Sequence, residues 1–222
     1  MNVIRERTIE NAWRSVLWAC ARYGYLYKIE KGSYEGQYRK QLDFATVIIE
    51  QPSIRPLAVT LPEHLGIPSP TDNDRIETYF YDYLITDTKT DKEDYTYGQY
   101  ISLQVPLVIE ILNSSRGNTN QACITVGDPN SIILKDPPCL RIIDFKVVDG
   151  RLDMSVFFRS WDLFAGFPEN IGGLQLLKEY VAMHLDFPIT DGKIFAYSSG
   201  AHIYEQYFSL VNQLNAHKCE II

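Results

Sequence analysis

Four groups of residues in this chain have the types and spacing that covalent chemistry on a small charged molecule needs. Cys139 stands in Lys135-Asp136-Pro137-Pro138-Cys139-Leu140. The two prolines fix the backbone before it and bias it toward extended geometry, which holds the thiol at the mouth of a strand. A rigid thiol at a strand end is well aimed as a nucleophile. Twenty residues on, Arg159-Ser160 sets a planar charged fork beside a short hydroxyl donor, a pairing suited to phosphate. Asn170 carries an acceptor and two donors in one plane, which can pair with the edge of a uracil ring. His202 and Tyr204 are two residues apart, so on a strand they point the same way and could hold a sugar hydroxyl. Taken singly, each has an ordinary use: a buried cysteine, a surface Arg–Asp pair, a strand serine, a helix-capping asparagine, a packed His–Tyr pair.

The elements that must position these groups are readable in outline. Ile9, Trp13, Val16, Leu17 and Cys20 recur at helical spacing, and Gly24 closes a helix over residues 8–24. Residues 25–41 are polar and tyrosine-rich, with Gly32 and Gly36, and read as a loop. Residues 44–50 are β-branched and strand-like. Residues 52–70 hold five of the eleven prolines and read as an irregular crossing. Helices are predicted over 76–84, 105–112, 171–185 and 204–214, and strands over 122–126 and 193–198. Residues 86–94 read as a solvated loop. Residues 140–148 and 152–158 are two strands joined by Asp149-Gly150, a strong hairpin turn signal. Strands and helices interleave, but the clearest strand pair is antiparallel, which argues for an α+β fold.

Composition narrows the partners. The 222 residues suit one α/β domain of ordinary size; 45% are hydrophobic and 22% charged, as in a soluble globular protein. The net charge of −7 would repel a long polyanion, so nucleic acid is not an expected partner, whereas a single nucleotide needs only a few local cations. No apolar run reaches the length of a membrane span, and the charged start lacks a signal-peptide core, so a cytoplasmic location is expected. Cys20, Cys123, Cys139 and Cys219 are widely spaced and form no CxxC, so neither a disulfide framework nor a metal site is expected.

Together the blocks resemble the thymidylate synthase family, whose pattern has Pro-Pro-Cys, then Arg-Ser-x-Asp and Gly-x-Pro-x-Asn-Ile, then His-Ile-Tyr. Here these are Pro137-Pro138-Cys139, Arg159-Ser160-Trp161-Asp162, Gly166-Phe167-Pro168-Glu169-Asn170-Ile171 and His202-Ile203-Tyr204. Tyr95-Thr96-Tyr97-Gly98 looks like the family's Tyr-Gly motif. The resemblance covers about residues 95–210 and is nearest to the short form of methanogenic archaea. It implies a thymidylate-synthase-like fold with a mixed, mainly antiparallel sheet packed by helices, and one catalytic domain over 1–222. It implies a methyltransferase of nucleotide biosynthesis that makes dTMP from dUMP. Its co-substrate would be 5,10-methylene-tetrahydrofolate or methylene-tetrahydromethanopterin, with no metal. By this resemblance Cys139 would add to C6 of the pyrimidine, and Arg159 and Ser160 would bind the phosphate, with Arg159 lowering the thiol pKa. Asn170 would read the base, and His202 and Tyr204 would hold the ribose. Asp162 and the C-terminal Ile222 would meet the pterin, Tyr97 would belong to the proton-relay wall, and Glu77 would organise water near the base.

Departures stand beside these matches. Leu140 stands where the family usually has His, and Asp144 and Phe158 where it has Gln. Asn120-Gln121 stands where it has two arginines that cross a dimer interface to the partner's phosphate, so Arg116, Arg39 or Lys40 would have to replace them. Arg39 falls near the place of a mobile phosphate-binding arginine. Monomer and homodimer both stay open. Two rival functions remain: a pyrimidine nucleotide hydroxymethylase on the same fold, which an Asp at position 170 would have favoured, and a non-catalytic nucleotide-binding relative. A Cys–His hydrolase would need His202 beside Cys139 and a glycine-rich elbow that the sequence does not supply.

Overall fold

A computed structural model describes residues 2–32, 34–89 and 95–216. Ile222, and residues 90–94 of the loop expected over 86–94, lie outside these.

The chain runs β1 (Asn2–Glu6), α1 (Ile9–Tyr23), β2 (Tyr25–Lys28), β3 (Tyr38–Gln41), β4 (Ala45–Ile49), α2 (Asn73–Thr78), a π-helical turn (Tyr79–Ile85), α3 (Gly98–Ile101) and α4 (Val105–Ser115). It continues with β5 (Cys123–Thr125), β6 (Leu140–Val148), β7 (Arg151–Phe158), β8 (Trp161–Asp162), α5 (Gly166–Met183), β9 (Thr190–Ser198), β10 (Ala201–Tyr204) and α6 (Phe208–Ala216). A six-stranded sheet has the order β1-β4-β9-β7-β6-β5, and a four-stranded one the order β2-β3-β10-β8. Three neighbouring pairs are parallel (β1 with β4, β7 with β9, β8 with β10) and the others antiparallel, so the sheets are mixed and the class is α+β.

Helix α1 forms because Thr8 caps it, its hydroxyl accepting from the Asn11 N–H at 3.2 Å, and because its apolar stripe is buried. Trp13 on that stripe is fully buried and donates its indole N–H to the Phe164 carbonyl at 3.1 Å, tying α1 to the segment before α5. The β6–β7 hairpin turns at Asp149-Gly150, both at positive φ (50° and 72°), which matches the twist of the flanking strands. Helix α5 starts five residues earlier than the apolar periodicity suggests, so Asn170 lies inside its first turns instead of capping it. Lys178 on this helix is buried and is offset by Asp191 at 3.2 Å. One cluster of buried residues runs from Ile9 to Leu214.

Two expectations need correction. Residues 25–41 contain a strand pair, not a loop: Tyr25 to Lys28 pair with Tyr38 to Gln41. Their site-facing residues are Tyr25, Tyr27, Arg39 and Gln41, so the alternation of a half-buried strand is polar and invisible to an apolar pattern. The 76–84 helix begins at Asn73 and becomes π-helical at Tyr79. Among the described residues no helix is long and apolar enough to cross a membrane.

Candidate active site

Strand register gathers the chemical groups at one end of both sheets. Leu140 pairs with Phe158, so Cys139, just before β6, faces Arg159, just after β7, and the Arg159 N–H donates to the Cys139 carbonyl at 2.9 Å. Phe158 in turn pairs with Ser198 at the end of β9. The chain then crosses to the second sheet, where Trp161 and Asp162 pair with Ala201 and His202, and His202 and Tyr204 pair with Gln41 and Arg39. Gly200 permits the crossing: a Cβ there would lie 2.6 Å from the Arg159 carbonyl oxygen.

The Cys139 thiol is half-buried, with Ser160 one residue beyond Arg159 on the facing strand end. Burial raises it above its ordinary value of 9.0; Arg159, Arg39 and Ser160 pull it down, and Asp136 pushes it up. Arg159 thus acts in the expected direction, but burial outweighs it. Its guanidinium is wrapped around the Pro-Pro loop: Nε donates to the Pro138 carbonyl at 3.1 Å, and the same guanidinium reaches the Pro137 carbonyl and, at 3.3 Å, the Asp136 carboxylate. An incoming phosphate must compete with Asp136 for this cation. Arg39 is a second cation at the same place, 4.7 Å over the Tyr27 ring, with Nε buried and without a partner. Two guanidiniums near one thiol make a site that favours an anion.

Tyr97 reaches the next residue along: its hydroxyl accepts the Leu140 N–H at 3.3 Å. Gly98 sets it there, because a Cβ at 98 would lie 1.8 Å from the Thr86 carbonyl oxygen. Tyr95 packs on Tyr97 at 5.7 Å between ring centroids, and Tyr79 meets Tyr97 edge-on at 6.5 Å. Burial raises all three phenols, so they stay protonated and serve as donors. Tyr95 stood beside Tyr97-Gly98 in the sequence, and Tyr79 carried no signal beyond being one of 15 tyrosines.

Asn170 accepts the Trp161 indole N–H on Oδ1 at 3.2 Å, and the buried Tyr79 hydroxyl beside it has no partner of normal geometry. Next to Asn170, Glu169 is half-buried; burial raises its carboxyl while Arg75, at 3.3 Å, pulls it down. Glu77 is exposed on α2, and Glu169 is the carboxylate whose charge bears on Tyr79. The step from α-helix to π-helix at Tyr79 buries Tyr79 and leaves Tyr81 and Tyr83 exposed, which periodicity could not reveal.

His202 is buried, and burial lowers it from 6.5 to about 4, so it is neutral at pH 7. Nδ1 lies 2.7 Å from the Gly200 carbonyl and must carry the proton, which leaves Nε2 as a buried acceptor without a partner. Tyr204 packs on His202 at 4.5 Å. Asp162 is raised from 3.8 to about 6 by burial, although its carboxylate accepts the Phe164 N–H at 2.9 Å. A carboxylate has lone pairs for further donors. Asn120 and Gln121 are exposed before β5. Among the described residues no group of three or more His, Cys, Asp or Glu could hold a metal ion.

The thymidylate synthase family profile matches residues 94–220. Proteins provisionally named thymidylate synthases are similar over nearly their whole length. That of Methanosarcina barkeri is 29% identical over 218 residues, 96% of this chain and 94% of its own. That of Methanopyrus kandleri is 27% identical over 215 residues, 92% of this chain and 93% of its own. The thermostable thymidylate synthase A of Bacillus subtilis shares the fold with a TM-score of 0.65 at 15% identity, over 94% of this chain and 84% of that one. With its thiol, cations and bare imidazole nitrogen gathered at one strand end, this chain belongs to the thymidylate synthase family.

Proposed function

We propose that the chain is a thymidylate synthase in the strict sense, a cytoplasmic enzyme acting as one catalytic unit over 1–222 that methylates dUMP to dTMP. The observation that carries this reading is the convergence of the Cys139 thiol, the Arg39 and Arg159 guanidiniums and the unpartnered His202 Nε2 at one strand end. A nucleoside monophosphate has one part for each of these. Its phosphate meets Arg159, Arg39 and Ser160. Its ribose hydroxyl donates to His202 Nε2 and lies against Tyr204. Its base edge meets Asn170.

Cys139 loses its proton and forms a bond from Sγ to C6, and the C5–C6 π electrons move onto C5 and the C4 carbonyl. The negative phosphate displaces Asp136 from Arg159, which removes the carboxylate that holds the thiol up. C5 is then the nucleophile toward the one-carbon unit. Asn170 steadies the charge at O4 and N3, and the Tyr97 hydroxyl, which accepts from Leu140, still has its own proton to donate toward developing charge. Loss of the C5 proton and departure of Sγ restore the ring and free Cys139. A reduced pterin supplies the methylene unit and the hydride. The residues fit such a group: Asp162 can accept one further N–H from a pterin ring.

The test is product analysis with dUMP and either methylene-tetrahydrofolate or methylene-tetrahydromethanopterin, for wild type and Cys139→Ser. The reading expects dTMP with at least one carrier and none from the variant. A 5-hydroxymethyl product, or no product with either carrier, contradicts it.

A further inference from the structure

The carboxamide of Asn170 has two unlike ends, Oδ1 that accepts and Nδ2 that donates. Uracil presents N3–H as donor beside O4 as acceptor. Cytosine presents N3 as acceptor beside its N4 amino donor. An amide in one orientation therefore pairs with uracil, and the same amide turned over pairs with cytosine. Discrimination by Asn170 requires that this rotation be blocked.

Trp161 is built to block it. Its indole Nε1 donates to Asn170 Oδ1 at 3.2 Å. An indole N–H can only donate, so a reversed amide would set Nδ2–H against it and leave two inward-facing donors without acceptors. The indole has no room to turn aside. It is 2% exposed and lies between Phe158, at 4.5 Å and 3° between planes, and Phe167, at 4.6 Å and 21°. Its backbone is fixed as well, the Trp161 N–H donating to the Gly200 carbonyl at 3.0 Å.

We propose that Trp161 is a specificity-determining positioning residue: its indole N–H holds the Asn170 amide in the orientation that accepts uracil and rejects cytosine. This rests on the reading of Asn170 as the residue that meets the base. Trp161 acts through Asn170 and not on the nucleotide.

The experiment measures Kd for dUMP and dCMP by calorimetry on the whole chain: wild type, Trp161→Phe, Asn170→Ala, Asn170→Asp, and the double variant Trp161→Phe/Asn170→Asp. Phenylalanine keeps a three-ring stack and removes the donor; the volume it also removes is controlled for by the Asn170→Asp background. The ratio Kd(dCMP)/Kd(dUMP) is expected to fall about fivefold to tenfold in Trp161→Phe, the size of one hydrogen bond. In the Asn170→Asp background the two oxygens are alike and there is no orientation to hold, so Trp161→Phe should leave the ratio within about twofold. An equal fall in both backgrounds is a packing effect and overturns the proposal. A ratio abolished by Asn170→Ala but unmoved by Trp161→Phe also overturns it, while the reading of Asn170 stands. A ratio unmoved by Asn170→Ala, or absent in wild type, overturns the reading of Asn170 and the lock with it. Should Trp161→Phe not fold, the Trp161 indole proton resonance decides: it should move upfield in Asn170→Ala, and an unmoved resonance overturns the lock.

Discussion

The floor of the candidate site and its rim are held by different forces. On the floor, Tyr97, Asn170, Trp161 and His202 are set by strand register, ring stacking and close backbone approach. On the rim, Arg159, Asp136 and Arg39 are set by charge, and each is at least partly open to solvent. Excluded volume admits few residue types at a position. Charge can be supplied from several positions. A family member can therefore keep its floor and redistribute its rim.

Variants of floor and rim should therefore behave differently, and the largest effect belongs to the floor. Gly98→Ala drives a Cβ into the Thr86 carbonyl and should cost about 3 kcal/mol or more in thermal or urea unfolding, with loss of the Tyr97–Leu140 bond. A loss under about 1 kcal/mol would mean that the floor is softer than its geometry.

The next effect is in pH. His202 is lowered from 6.5 to about 4 in the fold, so the unfolded chain protonates first; its contribution is whole above 6.5 and is lost as pH falls toward 4. Asp162 runs the other way. Raised from 3.8 to about 6, it binds its proton more tightly in the fold, so its contribution is present at low pH and is lost as pH rises through 6. The two slopes oppose each other between about pH 4 and 6, and wild-type urea midpoints should vary little there. In His202→Gln the opposing slope is gone and that of Asp162 dominates, so stability should fall by on the order of 3 kcal/mol as pH rises across that window. A rise instead would contradict the assignment.

Rim changes should be smaller. Asp136→Asn removes the carboxylate that both raises the thiol and occupies Arg159, so alkylation of Cys139 at pH 8 should speed up about threefold to tenfold, less so in high salt. The smallest effect is expected at Glu77: Glu77→Gln should leave turnover within about twofold, as an exposed residue would.

The sequence was most legible where the floor is built. The Asp149-Gly150 hairpin and the Pro-Pro-Cys strand entry follow from turn chemistry and fixed backbone geometry, whereas Arg159, Asn170 and His202 stood out together through the family resemblance; the structure sets Arg159 beside Cys139, Asn170 against Trp161 and His202 in the strand paired with Asp162. Strands β2 and β3 escaped because their site-facing residues are polar. Helix α5 begins before its apolar stripe does. The Tyr79–Tyr95–Tyr97 cluster depends on a π-helical turn and on contacts across the chain, neither of which leaves a local periodic trace. The balance of charge on Cys139 was out of reach for the same reason: its outcome depends on burial, and residue types alone do not give burial.

On the proposed function, Cys139 activates C5 of a bound pyrimidine nucleotide. Release of tritium from C5-tritiated dUMP, measured for wild type and Cys139→Ser with each methylene-pterin, tests it most directly. Release that requires Cys139 is the predicted result. Release that persists in Cys139→Ser, or none under any condition, would contradict the account.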